Sequence, residues 1–134
     1  MKIATTIAHT LLRLTALIQI VLGLLFWTGN ALGLIPIHVL SGFILVLSLW
    51  VLAVLAALAG VNRGFVALVI VWGFIVPILG ITQTQLLPGP AHWVIEVLHL
   101  LVGLAAIGQG EGLARRIRQV RTPNPLTRDF THSG

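Results

Sequence analysis

Four apolar runs dominate this chain, at about 5–27, 35–59, 65–85 and 91–113, and each is long enough to cross a bilayer. A hydrocarbon layer of about 30 Å takes about 20 helical residues at a rise of 1.5 Å each. The breakers between the runs are short: Thr28-Gly29-Asn30, then Gly60-Val61-Asn62-Arg63-Gly64, then Thr82-Gln83-Thr84-Gln85 leading to Pro88-Gly89-Pro90. Backbone in lipid satisfies its hydrogen bonds only as helices or closed barrels, and a barrel would show alternating segments of about ten residues. The expected fold is therefore all-α: a four-helix transmembrane bundle, up-down-up-down, over residues 1–121. Pro36 suits the first turn of the second helix, and Pro77 is a candidate kink in the third. Composition agrees, because 57% of the 134 residues are hydrophobic and only 8% are charged, against roughly 25% charged in soluble domains. A soluble domain of this size could not bury so much apolar surface.

Charge orients the bundle. Lys2, Arg63 and the cluster Arg115, Arg116, Arg118 and Arg121 flank the ends that four antiparallel spans bring together, with Arg13 nearer the same end. The 28–35 and 82–91 loops carry no Lys or Arg. The positive-inside rule then puts both termini and the 60–64 loop in the cytoplasm. The net charge of +5 is thus a matter of topology and anionic lipid rather than of nucleic acid. The first run exceeds the usual length of a signal-peptide core and ends at Phe26-Trp27-Thr28-Gly29-Asn30, a poor cleavage site, so it reads as a retained span. Trp27, Trp72 and Trp93 read as interface residues and Trp50 as mid-span. Residues 122–134 lack an apolar period and read as a disordered tail. Zero cysteines exclude disulfides, thiolate metal sites and covalently attached haem.

Polar side chains inside spans are costly, so each needs a reason. Spans two and four share His-x-x-x-Gly, as His38 with Gly42 and His99 with Gly103. Both run in the same direction, which suggests a duplicated helical hairpin. Positions i and i+4 share a helix face, so each glycine leaves a gap one turn beyond its histidine. Two such helices facing each other would offer two imidazoles to one iron and two grooves to a porphyrin. Glu96 falls on the stripe of His99, where it would orient a ring N–H or relay protons. Depth counting leaves two candidates opposite His38. His38 is roughly 3–6 Å into its helix and His99 roughly 12 Å, and His92 is the closer match unless span four starts within the headgroups. His38 with His99 is the favoured pair, and His92 is the substitute ligand or a contact for a porphyrin carboxylate. Plainer roles fit the same residues: a hydrogen-bonded histidine pair, interfacial anchors, Gln19 as an interhelical hydrogen bond, and glycines that permit close packing. His9 and Arg13, at i and i+4, face one side near the cytoplasm, as bilayer anchors or as contacts for a quinone head or a lipid phosphate.

Gln19 in span one, His-x-x-x-Gly in span two, Gln83 or Gln85 ending span three and His-x-x-x-Gly in span four resemble a family of small, functionally uncharacterised bacterial four-helix membrane proteins, over roughly residues 8–114. More loosely, the chain is similar to small bacterial membrane cytochromes b, of the superoxide oxidase and hydrogenase-associated kinds. That resemblance implies b-type haem and electron exchange with quinone or an oxygen species in a bacterial inner membrane. His38 and a span-four histidine match the outer haem, and His9 stands where the first ligand of an inner haem would be. Positions 106 and 113, where its second ligand is due, are Ala106 and Leu113.

Two functions from different classes follow. One is a membrane redox module holding one haem b between His38 and His99, with Gln19, Gly42, Gly103 and Glu96 around it, and exchanging electrons with quinone or an external acceptor. The other is a structural or accessory subunit of a larger membrane complex, or a homo-oligomer, with no cofactor. The absence of a nucleophile–base set or a nucleotide motif leaves enzymatic turnover unassigned.

Overall fold

The turns explain why the helices stop where they do. A computed structural model describes residues 1–121, so the tail expected over 122–134 lies outside the described residues. Four helices emerge: α1 Lys2–Trp27, α2 Ile35–Leu58, α3 Arg63–Thr82 and α4 Trp93–Arg121. Single 3₁₀ turns at Leu32–Leu34 and Gln83–Gln85 border α2 and α3. Gly29 and Gly60 adopt positive φ (74° and 84°) just beyond α1 and α2, the backbone that glycine takes most cheaply. At Gly60 the amide donates to Ala57 O (3.1 Å), while the Val61 amide donates to Ala56 O (3.0 Å). This satisfies two carbonyls left over at the end of α2. The next helix begins at once, because Asn62 Oδ1 accepts from the Phe65 amide (3.1 Å) as its N-cap.

All four helices are long and apolar enough to cross a membrane. Leu47, Leu58, Ile78 and Leu101 are among the large apolar side chains left more than half exposed, as lipid contact requires. Helix α3 runs unbroken through Pro77, and α4 continues past the apolar limit at 113 as far as Arg121. Trp72 departs from its reading as an interface residue. It stands midway along α3, packs on the core and donates from Nε1 to Val102 O at 3.0 Å.

Neighbouring helices pack in the order α1–α2–α3–α4, and α4 closes back on α1. Helices α2 and α4 also touch across the diagonal, whereas α1 and α3 do not. Helix α2 is the central element, with 44% of its most apolar stretch buried against 17–22% for the others. The end where α1 begins and α4 finishes, called the termini end below, is solid, with Leu12, Leu49, Leu52, Val69, Leu113 and Ile117 at 0–1% exposure. Glycines let these helices approach. A Cβ at Gly110 would collide with Leu12 Cδ1, and one at Gly73 with Trp50 Nε1. The opposite end is hollow.

Candidate functional site

The hollow is a cavity of about 430 Å³ lined from all four helices, and both His38 and His99 line it. Their ring centroids stand 6.4 Å apart with planes inclined by 55°. No hydrogen bond joins them. The Nδ1 atoms of both rings are buried and have no partner. A direct N–H···N bond of about 2.9–3.0 Å would draw the centroids in to about 5.2 Å. The spacing is longer than that, and two imidazoles on one interposed ion would stand about 6.4 Å apart with metal–nitrogen bonds of about 2.0–2.1 Å. Each ring is seated against a glycine of the preceding helix. A Cβ at Gly80 would stand 3.1 Å from His99 Cε1, and one at Gly23 would stand 4.0 Å from His38 Cε1. Phe26 meets the His38 ring edge-on at 5.3 Å.

His92 and His99 are placed differently relative to His38. His92 lies on the turn before α4, lines the same cavity, and has Nδ1 3.2 Å from Leu86 O, where its N–H donates to a loop carbonyl. His99 is the imidazole that faces His38. Helix α4 starts at Trp93, directly after the turn that carries His92.

Gln19 crosses from α1 to α2, and its Nε2 donates to His38 O and to Ser41 Oγ (2.9 Å). Ser41 Oγ donates in turn to His38 O (3.1 Å). The same amide occupies the gap beside Gly42, where a Cβ would stand 3.0 Å from Nε2. The groove expected at Gly42 is thus filled by protein, whereas a Cβ at Gly103 would meet nothing within 4 Å. Glu96 lines the cavity one turn before His99, and among the described residues no hydrogen bond or ion pair reaches its carboxylate.

A second polar group, centred on Glu111, was not anticipated from the sequence. It lies towards the termini end, where Arg13 donates to Glu111 through Nε (2.6 Å to Oε1) and Nη2 (2.8 Å to Oε2). His9 Nε2 is 2.9 Å from the same Oε1. His9 and Arg13 therefore tie α1 to α4. Ala106 and Leu113, the positions due to face His9 across an inner haem, are fully buried in the core. A signal for Glu111 did exist: it is the one acid in the polar interruption Gly108-Gln109-Gly110-Glu111-Gly112, at a depth comparable to that of Arg13.

Among the described residues no group of three or more His, Cys, Asp or Glu side chains could enclose a metal ion. An ion held by His38 and His99 would have to bring its other ligands with it, as iron in a porphyrin does. No known protein family, curated protein or solved structure matches the chain.

Proposed function

We propose that this chain is a membrane b-type cytochrome that holds one haem between α2 and α4, with His38 and His99 as axial ligands. The observation that carries the reading is the 6.4 Å separation of two unpaired imidazoles inside one cavity. The cavity suits a planar macrocycle. A porphyrin held by His38 and His99 would need room between α1 and α3, whose backbones do not come close to each other. Val76, Pro77 and Gly80 from α3 and Ile20, Gly23 and Leu24 from α1 supply the apolar flanks.

Iron held by two imidazoles has no free coordination position, so a haem bound this way exchanges single electrons. The residues of the chain bind and insulate it. Gln19 braces the turn of α2 that carries His38, and Gly23 and Gly80 give both rings room. Gln83 and Thr84, where α3 gives way to the loop that leads to α4, are the donors available to porphyrin carboxylates. Among the described residues no Lys or Arg lies at that end. Electrons are exchanged with a quinone or an external acceptor. The charge asymmetry supports a bacterial inner-membrane location with both termini cytoplasmic and the haem towards the opposite face.

The test is the visible spectrum of the detergent-purified protein after expression with ample haem precursor. A Soret band is expected, abolished by His38→Ala and by His99→Ala and retained in His92→Ala. A colourless wild type sinks the reading and leaves the accessory-subunit function. Loss of the band only in His92→Ala sinks the ligand assignment.

A further inference from the structure

Among the described residues Glu96 is the one formally charged side chain that lines the cavity, the rest being apolar or neutral in formal charge. Every Lys and Arg of the described chain lies towards the termini end. Among the described residues no cation reaches its carboxylate. A carboxylate in an apolar, membrane-embedded cavity is costly unless something positive shares the space. Its place in the first turn of α4 suits the positive end of that helix, which explains a carboxylate near this end but not one that lines the cavity. Being three residues before His99, it shares that residue's helix face, with Cβ atoms about 5–6 Å apart.

We infer that Glu96 is the counter-charge for a cationic centre held between His38 and His99, and that it favours the oxidised form of that centre. The inference rests on the haem reading. A porphyrin dianion leaves iron(III) with a net positive charge and iron(II) with none. A fixed negative charge one turn from an axial ligand therefore stabilises the oxidised member and lowers the midpoint potential. Charge inside a low-dielectric site acts more strongly than the same charge in water. Glu96 is thus a tuning residue that acts on the iron through space.

The test is potentiometric titration of the haem-loaded protein in detergent, wild type against Glu96→Gln and Glu96→Asp. Glu96→Gln is expected to raise the midpoint by about 59 mV or more, a tenfold change in the oxidised-to-reduced ratio for a one-electron couple. Glu96→Asp is expected to keep the wild-type value. Loss of the Soret band in Glu96→Gln but not in Glu96→Asp would show the same need for charge, at the level of binding. An intact Soret band with an unmoved potential in Glu96→Gln overturns the inference and leaves the haem reading standing. Equal shifts in both variants also overturn it, since they would mark packing rather than charge. A colourless wild type removes the haem reading, and the inference falls with it.

Discussion

Glycines in this chain divide by what stands beside them. Gly110 and Gly73 are contact points where an added methyl meets Leu12 or Trp50, whereas Gly103 and Gly108 face open space. Gly110→Ala is therefore expected to cost about 1–3 kcal/mol through overpacking. Gly108→Ala should be neutral or stabilising by up to about 1 kcal/mol, because alanine is the better helix former. Thermal unfolding of the two purified variants checks the contrast, and equal effects would contradict the packing described. Gln19 is the other residue whose surroundings decide its role. Gln19→Leu removes both donors to His38 O and Ser41 Oγ, bonds worth about 0.6–1.7 kcal/mol each between membrane helices. The expected result is a lower melting midpoint, together with weaker retention of the proposed haem. The spacing His-x-x-x-Gly was legible in sequence. That a glutamine from another helix would fill one of the two gaps was not, because spacing within a helix says nothing of what its neighbour inserts.

Between helices, the distinctive element is the link from the first helix to the last. Arg13 and His9 on α1 converge on Glu111 of α4, with the bidentate Arg–carboxylate geometry that gives such pairs strength and direction. Arg13 is 62% exposed along its side chain, yet in a membrane that exposure faces lipid or headgroups, so removing the carboxylate strands a cation. Glu111→Gln and Arg13→Leu should each destabilise the protein, while the double variant should lose less than the sum of the two. A coupling of about 0.5–3 kcal/mol is the range for residues in contact. Additive losses in a double-mutant cycle of unfolding midpoints would show that the pair does not act as a latch. The helix ends themselves were readable, since Gly29, Gly60 and Asn62 are residue types with a known mechanical use at those positions. Trp72 was misread because its sequence neighbourhood resembles an interface, whereas its depth along α3 and its bond to Val102 O put it in the interior.

At the scale of the whole molecule, one half of the bundle is packed solid and the other is built around a cavity. This division would insulate a cofactor from the termini side and leave it nearer the opposite face. The topology is directly testable because the chain has no cysteine. Single cysteines at Gly29 and at Leu87 should be labelled in intact spheroplasts by a membrane-impermeant maleimide, and one at Asn62 only after lysis. Labelling of Asn62 in intact cells would invert the proposed orientation. The sequence by itself determined four spans and the segregation of charge to one end. These follow from how each segment partitions between water and lipid, a local property of residue types and run length. Only the tertiary structure decided that His99 rather than His92 meets His38, that Glu111 anchors Arg13, and that Gln19 plugs the space beside Gly42. Those outcomes depend on how far each helix is rotated and shifted along its axis. Rotation and shift are set where Leu12 enters the space at Gly110 and Trp50 the space at Gly73, contacts between segments far apart in the chain.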